Sequence, residues 1–201
     1  MPSQTSHGLG HYYAHASNAF WWIAGEALGF RRGGPAEDKP WPDQFKTKPS
    51  KSVVAVLSSS GPVLNYQEQV EALTSAGYCL WDVVRECHIT NSDDHSVRNQ
   101  RPNDIRKLVE VNHPTIKRIV FASGKTSAKL FVKMNKTWLG EGKFLLRGDT
   151  AEEVFSRYTK CQPDHYSGET LQLIVPFSVS PACASVSFKL KLDQWREMVF
   201  N

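Results

Sequence analysis

The sequence predicts an α/β fold in which a mostly parallel sheet is covered by helices. Short apolar runs typical of buried strands alternate with segments whose apolar residues recur at helical spacing. The 201 residues, 40% of them hydrophobic and 22% charged, suffice for one globular domain with a sizeable core. No apolar run approaches the roughly 20 residues that a membrane-spanning helix requires. We therefore expect a single domain over residues 1–201 and no membrane partner.

The first predicted helix is indicated by apolar residues at helical spacing, namely Phe20, Ile23, Ala24, Ala27 and Leu28. Ser17 precedes it as a candidate N-cap, and Gly29 occupies the position at which helices commonly end. The stretch RRGGPAEDKPWPDQFKTKPSKS that follows is rich in Pro, Gly and charge, which is typical of a loop. The run VVAVLSSSGP (53–62) has a strand-like composition. Together these two stretches form an apparent insertion at around 31–63.

The middle of the chain predicts a helix, a strand and a loop. Asn65 and Glu68 have the spacing of a capping box, and the helix that they begin ends near Gly77. The run YCLWDVV (78–84) is typical of a buried strand. A polar loop is expected over 88–104, and its length favours a functional role.

The second half continues the alternation of helices and strands. The predicted elements are a helix at 104–112, an interior parallel strand at 116–124, a helix from 125 with lysines on one face, a helix capped by Thr150 and Glu153, a strand at 171–181 and a helix in the tail. The tail also alternates like a strand, and its length favours the helix. Strands alternating with helices predict a parallel sheet covered on both faces.

Positive charge is concentrated between Arg106 and Lys136. Eight Lys or Arg residues stand there against one acid, Glu110, so this stretch carries +7 in a chain of net charge +4. Such a stretch suits a polyanion such as nucleic acid, because neutralised phosphates release counterions. Charge alone favours a solvated helix face as the simpler explanation.

The sequence indicates neither a nucleotide loop nor a metal centre. It contains no G-x-G-x-x-G and no Walker lysine loop. Its four cysteines are widely spaced, which favours reduced thiols in an intracellular protein, in the nucleus or the cytoplasm. The first residues resemble neither a secretion signal nor a transit peptide. We predict no metal and no organic cofactor.

Three separated blocks resemble one family. They are MPSQTSHGLGHYYAHASNAFW (1–21), AGYCLWDVV with the following NSDD, and SVSPACA with Lys189 and Trp195. In this order they resemble the hypoxanthine-DNA glycosylase branch of the uracil-DNA glycosylase superfamily, whose first motif runs roughly M-P-G-x-x-S-L-x-x-x-x-Y-Y-A-H-P-R-N-x-F-W. The resemblance implies a three-layer α/β/α fold and a monomeric, monofunctional enzyme without cofactors. Its partner would be DNA that contains a deaminated base such as hypoxanthine or uracil.

The chain departs from this family in two respects. Ser3, Ala16 and Ser17 stand where the first motif has Gly, Pro and Arg. Family members also carry a central strand ahead of this Met-Pro, so we expect the first strand of the sheet to be missing. Either the sequence is an incomplete version of a longer protein, or VVAVLSS takes the place of that strand.

The resemblance assigns candidate residues to each task of base excision. Asn18 is the catalytic candidate, since its amide can orient water although it cannot act as a general base. The candidates for binding the flipped base are Tyr13, which would stack on it, His15, Asp82 and Ser123. The candidates for binding DNA are Ser178, Ser180, Pro181 and Ala182 in the SVSPA loop, with Lys125, Lys129 and Lys189.

Structural interpretations stand beside these assignments. His15 fits a structural histidine equally well, Asp82 fits a cap of the following loop, and Ser123 fits a helix-start cap. Two other functions also remain open. One is a nucleic-acid-binding relative that has lost turnover, and the other is a hydrolase of free nucleosides, which would need neither the lysines nor the SVSPA loop.

Overall fold

The computed structural model describes residues 4–36, 39, 43–45, 49–88, 98–112, 115–159 and 170–201. Its helices are α1 (Gln4–Leu9), α2 (Phe20–Leu28), α3 (Lys51–Val54), α4 (Tyr66–Ser75), α5 (Ile105–Lys107, continued by a π-helix at Leu108–Asn112), α6 (Lys125–Met134), α7 (Lys136–Glu141), α8 (Asp149–Phe155) and α9 (Phe188–Met198). Its strands are β1 (Arg31–Arg32), β2 (Val63–Leu64), β3 (Val84–His88), β4 (Arg98–Pro102), β5 (Arg118–Val120), β6 (Phe144–Arg147) and β7 (Leu171–Ile174). No helix in these ranges is long and apolar enough to span a membrane.

The fold is mixed α/β, as predicted, and its largest sheet within the described ranges is parallel. Strand β7 is central and pairs with β5 on one side and β6 on the other. Within the described ranges β5 lies at an edge of this sheet, which disagrees with the prediction that 116–124 forms an interior strand. The most apolar strand takes the centre: Leu173 and Ile174 of β7 are fully buried, whereas all of β5 is half-buried.

The chain divides into two compact units. Unit 1 consists of Met1–Trp81 with Val179–Asn201, and unit 2 consists of Asp82–Ser178. Unit 1 contains α1 to α4, α9 and the short parallel pair β1–β2. Unit 2 contains the parallel sheet, α5 to α8 and the antiparallel pair β3–β4.

The core of unit 1 is built around α2. Seven consecutive residues of this helix are buried, from Phe20 to Glu26, so the helix is covered on all sides. The ring of Phe20 meets Trp195 of α9 edge-on at 5.9 Å. Gly29 ends the helix with a left-handed φ of 80°, as predicted. The predicted cap at Ser17 is wrong: Ala19 occupies the N-cap without a side-chain cap bond, and the N–H of Phe20 donates to Oδ1 of Asn18 instead.

The core of unit 2 is a cluster of aromatic rings between helices and sheet. Phe121 follows β5 and meets Phe131 of α6 at 5.2 Å and Phe155 of α8 at 5.3 Å between ring centroids. Trp138 of α7 packs on Phe144 of β6 at 5.3 Å. These contacts confirm the prediction that α6 is amphipathic, with its lysines opposite a buried face.

Two runs predicted as strands adopt other structures. Residues 51–54 form helix α3, capped by Ser50, so the run VVAVLSS does not take the place of a missing strand. The run 78–84 is largely irregular, and its Trp81 is 58% exposed. Strand β3 begins only at Val84 and pairs with β4, which lies inside the predicted 88–104 loop. Composition alone misled the prediction, because within the described part of the chain no strand pairs with residues 53–62 or 78–83.

The helix predictions that rest on local sequence signals agree with the structure more often than the strand predictions do. Asn65 and Glu68 form a complete capping box, with hydrogen bonds of 3.0 and 2.8 Å to each other's backbone N–H. The tail is helical over α9, as predicted. The predicted cap at Thr150 and Glu153 is wrong: Gly148 occupies the N-cap of α8 without a side-chain bond. Residues 113–114, directly after the helix predicted at 104–112, lie outside the described residues.

Candidate functional site

The aromatic stretch before α2 folds into a fixed loop, here called the site loop (residues 11–19). The loop is held in place mainly by hydrogen bonds from the side chain of Arg32 of β1, which is only 3% exposed. The guanidinium donates to four backbone carbonyls of the loop, those of Tyr13 (3.1 Å), Ala14 (2.9 Å), His15 (3.4 Å) and Asn18 (3.2 Å). A planar cation with five fixed donors is suited to binding several carbonyls at once.

Aromatic rings complete the surroundings of Arg32. Its guanidinium carbon lies 4.9 Å from the ring centroid of Trp22 and 5.3 Å from that of Phe45, within cation–π range. Burial lowers the pKa of Arg32 to about 9, so the group remains a cation at neutral pH. The site loop therefore surrounds a buried positive charge.

Further bonds hold the loop from the other elements of unit 1. The indole N–H groups of Trp21 and Trp22 donate to the carbonyls of Tyr12 and Ala16, both at 2.8 Å. The backbone N–H of Tyr12 donates to the hydroxyl of Tyr66, at 3.0 Å. Phe20, Trp21 and Trp22 are buried and belong to the core, whereas Tyr12 is half-buried.

Tyr13, the predicted stacking residue, has an uncommon backbone conformation. Its φ is 53°, in the left-handed region that bulky residues rarely adopt. The ring is half-buried and tilted by 31° against Phe20, with centroids 4.6 Å apart. Such conformations persist only where the surroundings enforce them, and they concentrate at functional sites. Here the bonds to Arg32 and Trp21 enforce it.

Asn18, the predicted catalytic residue, has a structural task. Its Oδ1 accepts from the backbone N–H of Phe20 at 3.0 Å, at the start of α2. Since a backbone N–H only donates, this bond fixes which end of the amide is the oxygen. The Nδ2 donors have no hydrogen-bond partner within the described part of the chain, and the residue is half-buried. Asn18 thus offers two free N–H groups and the second lone pair of Oδ1.

His15, a predicted base contact, is half-buried beside the exposed Ser17. Its Nδ1 lies 2.7 Å from Oγ of Ser17 and 3.2 Å from the backbone N of the same residue. The backbone N–H of Asn18 donates to the carbonyl of His15 at 2.9 Å, which closes a tight turn. The two polar candidates of the site loop therefore belong to one turn.

The predicted DNA-binding loop begins next to the site loop in unit 1. The N–H of Ala19 donates to the carbonyl of Val179 at 2.9 Å. Ser180 organises the turn, since its Oγ accepts from the N–H of Ala182 at 3.2 Å and its carbonyl accepts from that of Cys183 at 3.1 Å. Pro181 and Ala182 are exposed at its tip.

The lysine at this turn is not the predicted one. Lys189 is exposed and bound to both carboxylate oxygens of Asp193, at 2.8 and 3.1 Å. Lys191 is only 5% exposed, and its Nζ donates to the carbonyl of Ser180 at 3.4 Å. Burial lowers the pKa of Lys191.

The remaining predicted residues lie in unit 2. Ser123 is half-buried between β5 and α6; it does not cap the helix, because Gly124 is the N-cap and no side chain bonds there. A Cβ on Gly124 would lie 3.3 Å from the carbonyl of Pro176 and the N of Ser178, so these two chain segments are in close contact. Asp82 is exposed and precedes β3, and its carbonyl accepts from Nδ2 of Asn103.

The basic face of α6 is partly neutralised. Lys125 forms an ion pair with Glu153 of α8, and Lys129 also acts on that carboxylate, which lowers the pKa of Glu153. Arg106 is bound to Glu110 and Glu141. Of the predicted lysines, Lys129 is exposed without a direct ion pair in the described ranges.

The structure therefore groups the predicted residues in two sets. Unit 1 holds Tyr13, His15 and Asn18 on the site loop, the turn from Ser180 to Ala182, and Lys189. Unit 2 holds Asp82, Ser123, Lys125, Lys129 and Ser178.

Sequence reasoning missed Arg32 and Lys191. Lys191 had a detectable signal, because it stands among Phe188, Leu192 and Trp195 on the apolar face of α9, where a lysine is out of place. No sequence signal identified Arg32, since the carbonyls that it binds lie 14 to 19 residues away along the chain.

The structure also contains a cavity away from the site loop. A cavity of about 480 Å³ runs along β3 and β4, and none of the predicted site residues lines it. Among the described residues, no group of three or more His, Cys, Asp or Glu side chains is placed to hold a metal ion.

The chain matches no protein-family model, no curated protein and no solved structure. Its function must therefore be argued from its own residues. Among the described residues, the site loop is a densely hydrogen-bonded polar feature.

Proposed function

We propose that this protein is a monofunctional DNA glycosylase that hydrolyses the N-glycosidic bond of a flipped deaminated base, of hypoxanthine or uracil type. The observation that carries the proposal is the site loop. In it, the half-buried Tyr13 has a left-handed backbone conformation and lies on the same loop as His15 and Asn18, whose Nε2 and Nδ2 groups have no hydrogen-bond partner within the described ranges. The proposal includes a three-layer α/β/α fold of uracil-DNA glycosylase type for the parallel sheet. It also includes a monomer that acts inside the cell, in the nucleus or the cytoplasm, without metal or organic cofactor.

The physical demands of base excision fit these groups. Flipping a base costs a few kcal/mol of stacking, and the ring of Tyr13 would return part of it. Cleavage leaves negative charge on the departing base, which fixed N–H donors stabilise without reorganisation. The second lone pair of Oδ1 of Asn18 would orient the attacking water. The buried cation of Arg32 adds a favourable field for the departing anion.

DNA contacts would come from the turn at Ser180 and from α6. The exposed tip at Pro181 and Ala182 is compact enough to enter the minor groove at the damaged site. Lys129 would contact phosphates, which position the enzyme but carry no sequence information. Lys125 and Lys189 would contribute less, because each already pairs with a carboxylate.

The test separates the chemistry of Asn18 from its hydrogen bond to the N–H of Phe20. Wild-type protein is incubated with duplexes containing hypoxanthine, uracil or xanthine, and abasic sites are counted. Asn18→Ser keeps a side-chain oxygen that can accept from the N–H of Phe20 but loses the amide, whereas Asn18→Ala loses both. We expect both variants to lose base release by at least about a hundredfold and only Asn18→Ala to lose stability, while DNA binding persists in Asn18→Ser. Full release by Asn18→Ser would remove the catalytic assignment.

The alternative is a nucleic-acid-binding relative without turnover. The hydrogen bond from the N–H of Phe20 to Oδ1 of Asn18 favours it, because that bond accounts for an asparagine at this position without any chemistry. Binding of lesion duplexes with no release from any of them would establish this alternative. Release of bases from free nucleosides but not from duplexes would instead indicate a nucleoside hydrolase.

A further inference from the structure

The side chain of Lys191 is buried in unit 1 without a counter-ion. The residue is only 5% exposed, and within the described part of the chain its ammonium forms no ion pair with a carboxylate. Its hydrogen bond there, from Nζ to the carbonyl of Ser180, is 3.4 Å long, which exceeds the usual range of roughly 2.7 to 3.2 Å. Since a buried charge without compensation costs free energy, this lysine is a candidate for a chemical role.

A thiol belongs to the turn that Lys191 holds. The backbone N–H of Cys183 donates at 3.1 Å to the same carbonyl of Ser180 that accepts from Nζ of Lys191. Cys183 is free and half-buried, and the neighbouring tip of the turn at Pro181 and Ala182 is exposed, so a small oxidant can reach this turn from solvent. The residue that bears the thiol and the amine of Lys191 therefore meet at one oxygen atom.

The electrostatics of the pair favour a nucleophilic amine. Burial lowers the pKa of Lys191, so this lysine carries a neutral amine in a larger fraction of molecules than an exposed lysine does. A charged Cys183 thiolate opposes that lowering of the pKa, which shows that the two groups act on each other. The neutral amine is the form that attacks an electrophile.

We propose that Cys183 and Lys191 form a peroxide-dependent covalent switch, in which the amine of Lys191 captures oxidised Cys183 as a sulfenamide. First the sulfur of Cys183 attacks hydrogen peroxide, the O–O bond breaks, and the second oxygen leaves with the thiol proton as water. The sulfur then carries a hydroxyl group. Next Nζ attacks the sulfur, an S–N bond forms, the S–O bond breaks, and the hydroxyl leaves with one amine proton as water. The pair loses two hydrogen atoms, and peroxide is reduced to water.

The new bond would change the turn and the charge beneath it. It replaces the ammonium of Lys191 with an uncharged nitrogen and ties the turn from Ser180 to Ala182 to helix α9 through Cys183. Small thiols reverse it, because one thiol displaces the amine from the sulfur and a second releases Cys183 from the resulting mixed disulfide. The inference does not rest on the proposed function, since it needs neither DNA nor a substrate.

The test is oxidation of the full chain with hydrogen peroxide, followed by intact mass measurement and peptide mapping. We expect a loss of about 2 Da that dithiothreitol reverses, and a peptide pair joined through Cys183 and Lys191. Lys191→Met has no amine, so it should lose the link, and its Cys183 should gain oxygen instead. Lys189→Met is the matched control and should form the link as the wild type does, because Lys189 is an exposed lysine already paired with Asp193.

Peptide mapping distinguishes the link from other products of the same mass. A disulfide of Cys183 with another cysteine, or closure of its sulfenic acid on a neighbouring backbone N, also removes two hydrogen atoms but persists in Lys191→Met. Either product in the wild type overturns the inference, as does a wild-type Cys183 that only gains oxygen or does not react. The map of the wild type decides between these outcomes even if Lys191→Met does not fold.

Discussion

At the scale of single residues, Arg32 does the most to define the site. It supplies donors for four carbonyls that the turn of the site loop leaves outside any helix or strand. Buried carbonyls without donors would cost free energy, and a buried cation without acceptors would cost more. The two requirements satisfy each other here, so the geometry of Tyr13, His15 and Asn18 depends on one side chain outside the loop.

Replacing Arg32 should destabilise unit 1 strongly. We expect Arg32→Lys to lower the free energy of unfolding by about 3 kcal/mol, because a lysine cannot reach several carbonyls from one plane. Urea denaturation followed by tryptophan fluorescence measures this loss. The neighbouring Arg31→Lys is the control, since Arg31 is exposed and, within the described ranges, its side chain makes a single hydrogen bond, to the carbonyl of Gly61. Equal losses in the two variants would contradict the role given to Arg32.

His11 should make stability depend on pH. Its ring stacks on Tyr66 at 3.7 Å and 11°, and burial lowers its pKa below 6.5. A lowered pKa means that the unfolded chain binds the proton more tightly, so the contribution of this group is complete above pH 6.5 and is lost as the pH falls below that value. We expect a urea midpoint that falls between pH 7.5 and 5 less steeply in His11→Gln than in the wild type. Parallel pH dependences would refute this.

At the scale of elements, α9 shows how a helix can combine core and site. Its buried face carries Phe188, Leu192 and Trp195 into unit 1, and the same face directs Lys191 to the carbonyl of Ser180. One helix therefore supports the core beneath the predicted DNA-binding turn and also holds that turn. The cost is a lysine in a poorly solvated position.

Removing that charge should stabilise the fold while loosening the turn. Met has nearly the length of Lys and no charge to desolvate, so Lys191→Met should raise the free energy of unfolding at neutral pH by about 1 kcal/mol. Because burial lowers the pKa of Lys191, the penalty in the wild type fades as the pH rises towards 10.5, and the gain should fade with it. Thermal unfolding at pH 7 and pH 10 measures both effects. Lys189→Met, at an exposed position of the same helix, should change the free energy of unfolding little. A loss of stability in Lys191→Met would show that the hydrogen bond of Lys191 to the carbonyl of Ser180 outweighs the cost of desolvating its charge.

At the scale of the whole molecule, charge and cores are distributed between two units. Each unit has its own buried aromatic cluster, around Trp21 in one and Phe131 in the other. The net positive stretch lies in unit 2, where acids on α7 and α8 neutralise part of it. Affinity for a polyanion therefore depends on the lysines of α6 that lack such partners.

Reversing these charges should weaken DNA binding in a salt-dependent way. We expect Lys129→Glu with Lys133→Glu to reduce affinity for duplex DNA and to lower the slope of log K against log salt by about two. Fluorescence anisotropy at several salt concentrations provides both values. Lys189→Glu, whose lysine is already paired with Asp193, should have a smaller effect. An unchanged slope in the double variant would remove α6 from the DNA contact.

The sequence by itself determined the features that neighbouring residues encode. The capping box at Asn65, the glycine stop after α2, the amphipathic α6 and the helical tail all depend on contacts within one or two turns. It also placed Tyr13, His15 and Asn18 in one stretch. Only the tertiary structure decided that β7 is central, that the 53–62 run is no strand, and that Arg32 and Lys191 support the site and its neighbouring turn. Such outcomes depend on partners far away in the chain, and no local pattern specifies which carbonyl or strand a side chain or backbone will meet.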